Sequence, residues 1–290
     1  MKDAKKTSLK IGQYNTLKVI RFVDFGAFLA PVKSEDKEDE ILMPQKYLED
    51  INVQVGDILD DCLVYSDSDD RLIATREKPL VLANQFASLE CTAVTQFGAF
   101  LNWGPIKDLL VPYKQQRSRM QVGDHYIVFA YADTQTNRMV ATEYFDKYLN
   151  NLAPTYKQGE EVDALVFRQT PMGYLCIINN LHTGMVYNSQ LHGKRLQIGQ
   201  RLPLFIEKVR EDDKIDLIPT PIGHQKADAL HELILQQLHI NGGTIALGDK
   251  SKPEDIKLVF RCSKKAFKMA IGGLYKQGKI KIEDYRITEL

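Results

Sequence analysis

Asp24-Phe25-Gly26-Ala27-Phe28-Leu29 returns as Gln96-Phe97-Gly98-Ala99-Phe100-Leu101 and, more loosely, as Pro171-Met172-Gly173-Tyr174-Leu175-Cys176. The central glycines stand 72 and 75 residues apart, a period that fits one small domain per copy. Each phrase is followed by an apolar run with a polar tail: Ile41-Leu42-Met43-Pro44-Gln45-Lys46, Leu109-Leu110-Val111-Pro112-Tyr113-Lys114 and Gly184-Met185-Val186-Tyr187-Asn188-Ser189. Gln54-Val55-Gly56-Asp57, Gln121-Val122-Gly123-Asp124 and Gln197-Ile198-Gly199-Gln200 come next, and each unit closes on a strand-like segment beginning near Arg71, Arg138 or Lys214. Four landmarks in the same order, three times over, define three repeats and a remainder.

Lys and Arg together number 38, as do Asp and Glu, so no global field draws in a polyanion. Residues 1–79 hold 12 basic and 16 acidic side chains, 80–149 hold 6 and 6, 150–221 hold 8 and 8, and 222–290 hold 12 and 8. Cys62, Cys91, Cys176 and Cys262 are scattered without the short spacing of a zinc or redox site. The start, Met1-Lys2-Asp3-Ala4-Lys5-Lys6, leads into no apolar stretch, and no run of about 18 uncharged apolar residues occurs. The chain is expected in the cytoplasm, without membrane contact.

Within one unit, Leu17 to Phe28 reads as two strands or one bent strand, interrupted at Gly26. Ile58 to Tyr65 is another strand, and Arg71-Leu72-Ile73-Ala74-Thr75 the last, reached through the polar turn Ser66-Asp67-Ser68-Asp69-Asp70. Five such segments in about 70 residues fit the closed Greek-key barrel that handles oligonucleotides. Side chains three apart on a plain strand face opposite ways. A glycine bulge between Phe25 and Phe28 is therefore expected to bring both rings to one exposed surface, and likewise Phe97 and Phe100. Bases stack on such rings for roughly 1–3 kcal/mol each.

Lys18-Val19-Ile20-Arg21-Phe22-Val23-Asp24-Phe25-Gly26-Ala27-Phe28 resembles the opening of the S1-type RNA-binding domain. The resemblance covers residues 8–77 and 82–145, and more weakly 155–220. It implies an RNA face made by Phe25, Phe28, Asp67 and Arg71 in the first unit and by Phe97, Phe100 and Arg138 in the second. Where that family has a histidine, this chain has Pro44, Pro112 and Tyr187, and Tyr187 retains the ability to stack. The third unit has Met172 and Leu175 in place of the rings, with Tyr174 at the alanine position. An acidic insertion, Ser34-Glu35-Asp36-Lys37-Glu38-Asp39-Glu40, reads as a solvated loop. Arg117 and Arg119, with Lys194 and Arg195, follow the strand where the histidine would stand and are candidates for phosphate contact.

After Pro219 and Pro221 the periodicity turns helical: Ala227, Leu230, Leu233, Ile234 and Leu238 mark one buried face, stopped at Asn241-Gly242-Gly243. Ser251-Lys252-Pro253-Glu254 reads as a capping box opening a second helix through Phe260, and Ser263 as the cap of a third, Lys264 to Gln277. A terminal hairpin signal, Gly278 to Ile282 with Tyr285-Arg286-Ile287, completes a winged helix. The third helix is expected to bury Phe267, Ile271 and Leu274 and to present Lys264, Lys265 and Lys268, further candidates for phosphate contact. It offers no Asn or Arg for bidentate base reading. Gly272-Gly273 inside it predicts close packing against another element.

Ser263-Lys264-Lys265-Ala266-Phe267-Lys268-Met269-Ala270-Ile271-Gly272-Gly273-Leu274-Tyr275-Lys276 is similar to the C-terminal signature of the conserved virulence factor B family, also called the YitL family. That resemblance implies an RNA-binding regulator of gene expression. The expected fold is mainly β and multidomain: three tandem five-stranded OB-fold (S1-like) barrels at 1–79, 80–149 and, divergent, 150–221, then a small α+β winged-helix domain at 222–290. The expected partner is single-stranded RNA, bound by strung barrels whose modest affinities multiply through effective concentration. The winged helix is assigned to nonspecific DNA or a protein partner. Two alternatives are a DNA-binding transcriptional regulator and a scaffold for ribosome or nuclease partners. No P-loop and no nucleophile with a recognisable base occurs, and His125, His182, His192, His224, His231 and His239 lack ligand spacing, so no enzyme activity, metal or cofactor is expected.

Overall fold

The computed structural model describes residues 9–33, 39–49, 51–67, 69, 71–105, 107–191, 193–221 and 224–290, with backbone alone for 224–229. Residues 34–38 of the acidic insertion, Ser68 and Asp70 of the polar turn, His192, and the side chains of His224 and Ala227 lie outside the described residues. The first barrel consists of β1 (Tyr14–Val23), β2 (Gly26–Pro31), β3 (Ile41–Pro44), β4 (Ile58–Ser66) and β5 (Leu72–Thr75), closed in the order β1-β2-β3-β5-β4. The second repeats that connectivity with β6 (Gln85–Thr95), β7 (Gly98–Leu101), β8 (Leu109–Pro112), β9 (His125–Ala132) and β10 (Met139–Thr142). The third does so with β11 (Glu161–Thr170), β12 (Gly173–Ile178), β13 (His182–Tyr187), β14 (Arg201–Val209) and β15 (Ile215–Ile218).

The repeated phrases are the hairpins that join the first two strands of each barrel. Val23 pairs with Gly26, Thr95 with Gly98 and Thr170 with Gly173, so Asp24-Phe25, Gln96-Phe97 and Pro171-Met172 are two-residue hairpin turns. Each glycine then lies opposite the last residue of the third strand: Pro44, Pro112 or Tyr187. A Cβ at Gly26 would stand 2.1 Å from the Met43 carbonyl oxygen, at Gly98 2.2 Å from that of Val111, and at Gly173 2.0 Å from that of Val186. With φ of 152°, 150° and 156°, these positions also lie where a side chain is strained. Glycine is thus required by backbone crossing.

The bulge is elsewhere than expected. The register slips on the first strand, at Ile20 (between Val19 and Arg21), at Thr92 and at Phe167. An extra residue there bends the long first strand so that it serves two neighbours. The Gln-Val-Gly-Asp phrase pins that bend. Gly56 N–H donates to the Val19 carbonyl at 2.8 Å and Val19 N–H to that of Asp57 at 2.9 Å; Gly123, Cys91 and Asp124, then Gly199, Val166 and Gln200, repeat the pair.

The first two barrels are fused. Residues 62–66 of β4 are buried without alternation, because Cys62 and Val64 fill the barrel while Leu63 and Tyr65 face its neighbour. Tyr65 meets Trp103 edge-on at 5.7 Å, within an apolar cluster that also holds Ile73, Val81, Met120 and Met139. Phe86, Phe129 and Phe145 of the second barrel pack with Leu165 and Ile177 of the third. Asn180 Oδ1 accepts the Phe86 N–H at 2.9 Å, and Arg201 donates to the Phe86 carbonyl at 2.6 Å. Strung beads are therefore the wrong picture for these seams, which exclude water.

The C-terminal domain comprises α1 (His224–Ile240), β16 (Thr244–Ile245), α2 (Pro253–Phe260), α3 (Lys264–Lys276), β17 (Ile280–Ile282) and β18 (Ile287–Glu289), with sheet order β16-β18-β17. Leu230, Ile234 and Leu238 are buried with Phe267, Ile271 and Leu274, while Leu233 is exposed. Gly243 N–H returns to the Leu238 carbonyl at 2.7 Å and ends α1. Ser263 caps α3 by accepting the Ala266 N–H. The capping box at Ser251 does not form: Lys252 is the N-cap, and Ser251 Oγ accepts the Gly248 N–H at 2.8 Å instead. Of the paired glycines, Gly273 packs against the His231 ring, where a Cβ would meet it at 2.8 Å, and Gly272 has open space. The short strand β16 carried no sequence signal.

Candidate nucleic-acid interface

Phe25 and Phe97, at the tips of their hairpins, are 60% and 65% exposed. Phe28 and Phe100 point outward from β2 and β7 and are half-buried, because their neighbours Ala27, Leu29, Ala99 and Leu101 take the inward positions. Each outward ring, and Leu175 at the matching place in the third barrel, sits in a row crossing the barrel: Arg21, Phe28, Leu42 and Ile73 in the first; Ala93, Phe100, Leu110 and Val140 in the second; Arg168, Leu175 and Met185 in the third.

The first member of that row decides what the ring presents. Arg21 lies 3.9 Å from the Phe28 centroid, a cation–π contact, and is held there by Glu40 at 2.9 Å. Ala93, with only a methyl group, cannot lie over Phe100 as Arg21 lies over Phe28. In the second barrel Phe97 and Phe100 accordingly line an open cavity of about 350 Å³, with Arg138 and Leu110 beside them. Lys107 and Asp108, from the loop between β7 and β8, and Trp103 add to its wall. Trp103 Nε1 donates to the Lys107 carbonyl at 2.6 Å, and Thr92, the bulged residue, donates to Asp108 at 2.6 Å.

The remaining candidates are spread out. Arg71 forks onto Asp67 (3.0 Å) and Asp69 (2.8 Å), which holds it in its own turn. Burial pushes the Asp67 carboxyl up, but the backbone N–H groups of Arg71 and Asp69 and the Arg71 guanidinium outweigh it, leaving it below the usual range. Tyr187 accepts from Arg210, itself bound to Asp216 at 2.9 Å. Arg117 pairs with Asp146 at 2.7 Å and donates to the Glu143 carbonyl. Arg119 lies 3.7 Å from the Tyr113 centroid, and Lys194 and Arg195 are exposed. On α3, Lys265 is exposed, Lys264 half-buried, and Lys268 paired with Asp249 at 2.9 Å. Sequence reasoning missed Lys107, Leu110 and Trp103; Trp103 alone carried a signal, as the single tryptophan of the chain.

Two barrels with paired rings at the same place in the strand order, a third barrel of that connectivity and a terminal winged helix define a nucleic-acid-binding class of protein. The S1 domain family matches residues 11–77 and 85–143, and the CvfB-like winged helix domain matches 232–288. The chain belongs to the conserved virulence factor B (CvfB/YitL-like) family. It is 28% identical to YitL of Bacillus subtilis (strain 168) over 292 residues, covering 96% of this chain and 93% of YitL. It is 25% identical to Conserved virulence factor B of Staphylococcus aureus (strain N315) over 266 residues, covering 89% and 87%. A crystallised multidomain protein with nucleic acid binding domains from Streptococcus pneumoniae is 24% identical, covering 97% of this chain and 98% of that one, with a TM-score of 0.40. Among the described residues no helix is long and apolar enough to cross a membrane, and no cluster of His, Cys, Asp or Glu could hold a metal ion.

Proposed function

We propose that the protein binds single-stranded RNA without catalysis and acts in the cytoplasm as a post-transcriptional regulator, with the second barrel as its principal contact. The observation that supports this reading is the meeting of Phe97, Phe100 and Arg138 in one open cavity. Two rings offer stacking faces to unpaired bases and the guanidinium a partner for phosphate. Phe25 extends the contact to the first barrel, whose Phe28 is covered by Arg21. The working limits of the four domains are 1–79, 80–149, 150–221 and 222–290. The winged helix is assigned an accessory role, since Lys268 of its lysine row is already paired with Asp249.

The test is oligo-U binding by the intact protein and by F97A/F100A. Each ring is expected to contribute roughly 5- to 150-fold in affinity, the equivalent of about 1–3 kcal/mol per stacked base. Unchanged oligo-U affinity in the double variant refutes the reading. Duplex DNA binding that exceeds oligo-U binding at equal salt moves the function to the winged helix. Because none of the three barrels has more basic than acidic side chains, the salt dependence is expected to be shallower than that of a protein making about 6–10 phosphate contacts.

A further inference from the structure

The cavity before Phe97 and Phe100 does not belong to one barrel. Tyr65 and Ser66, the last residues of β4 in the first barrel, form part of its wall. The wall is fastened across the seam. Ser66 Oγ donates to the Asn137 carbonyl at 3.0 Å, and Lys107 Nζ donates to the Asp67 carbonyl. Trp103 stands between, 1% exposed, its ring against Tyr65 and its N–H on Lys107. A flat stacking surface needs none of this enclosure.

The content of the recess matches one ligand chemistry. Aromatic and aliphatic side chains supply the faces, Arg138 and Lys107 the positive charge, and Asp108 a carboxylate. A nucleobase needs apolar contact on its faces, acceptors and donors along its edge, and a cation for the attached phosphate. The volume of about 350 Å³ falls at the small end of ligand pockets, where one nucleotide, not a run of them, is accommodated.

Resting on the RNA-binding reading above, we propose that barrels one and two together form a recess that takes up a single nucleotide of the strand, with the first barrel serving as its wall. The strand then stacks on Phe97 at the rim and inserts one base beside Phe100. This gives the first barrel a role that its covered Phe28 does not.

Trp103 makes the proposal directly measurable, because it is the only tryptophan in the chain and lines the recess. The intact protein is titrated with each of the four nucleoside 5′-monophosphates while tryptophan emission is followed. A saturable change with at least one of them is expected, with half-saturation in the range of about 0.1–10 mM, as befits one nucleotide detached from its strand. Leu110→Phe fills the recess from an outward-facing position on β8 and is expected to abolish that change. Ser66→Val narrows it from the first barrel and is expected to weaken it at least 5-fold, the melting curve establishing that each variant is folded. If F97A/F100A loses oligo-U affinity but no mononucleotide alters Trp103 emission in the intact protein, the recess is overturned while the RNA reading stands. If the double variant keeps its oligo-U affinity, the RNA reading itself fails. A response that persists undiminished in folded Ser66→Val removes the first barrel from the site.

Discussion

Gly98→Ala tests whether the thrice-written glycine is a requirement of backbone crossing. The added Cβ would lie 2.2 Å from the Val111 carbonyl oxygen and 2.9 Å from Pro112 Cα, neither of them the movable end of a side chain. At φ 150° the alanine backbone is strained by about 1–3 kcal/mol before any contact is counted. Relief requires β7 and β8 to part, which threatens the ladder pairing Gly98 to Leu101 with Leu109 to Pro112, at about 0.5–1.5 kcal/mol for each hydrogen bond lost. The expected loss is about 3 kcal/mol or more. Gly123→Ala is the matched control, because φ there is 89° and nothing lies within 4 Å of the new Cβ, leaving only the backbone cost of about 1–2 kcal/mol. Thermal unfolding followed by Trp103 fluorescence reports on this seam alone, which avoids treating a multidomain chain as one transition. At about 2–4 °C per kcal/mol for a unit of this size, Gly98→Ala is expected to lower the midpoint by roughly 6–12 °C. Equal shifts for the two variants would refute the crossing explanation.

Three further outcomes follow from individual groups. The Asp133 carboxylate accepts the backbone N–H groups of Thr136 and Gln135, which outweigh partial burial and hold its pKa below the ordinary value. Its folded pKa is therefore below the unfolded one, so its contribution is complete above the unfolded value of about 3.9 and is lost as pH falls through the folded one; urea midpoints of Asp133→Asn, compared with the parent at pH 6 and pH 3, are expected to converge at the lower pH. Burial pushes the thiols of Cys62 to about 11 and Cys176 to about 12, so in a thiol-labelling time course near pH 8 the half-buried Cys262 is expected to react first, and Cys62 or Cys176 reacting as fast would contradict the barrel interiors. Ser251→Ala leaves the buried Gly248 N–H without its acceptor and is expected to cost about 1–3 kcal/mol in chemical denaturation, at least as much as the roughly 1 kcal/mol of removing the Ser263 cap.

What the sequence made legible was whatever is encoded locally and repeated. The glycines, the Gln-Val-Gly-Asp turns, the strand runs and the Ser263 cap each act within a few residues of where they are written. Most of the misreadings are non-local. The bulge lies at Ile20, Thr92 and Phe167, opposite the phrase, since its position depends on which partner residue each strand meets. Arg21 reads as an ordinary surface cation until β2 brings Phe28 under it, and Arg117 as a rim residue until Asp146, 29 positions on, claims it. Ser251 had the right spacing for a cap, yet a neighbouring turn offered its hydroxyl a buried N–H first. The cavity was the least visible of all, because its wall comes from Ser66 and Lys107, 41 residues apart in different repeats.

Tandem duplication usually leaves a protein free to gain or shed copies. Here Tyr65 of one copy is sealed against Trp103 of the next, and Leu63 and Ile73 lie in the same water-excluded cluster. Excising the leading copy would leave an indole and its aliphatic surroundings facing solvent. The leading copy is thus tied to the second by the ring that joins them.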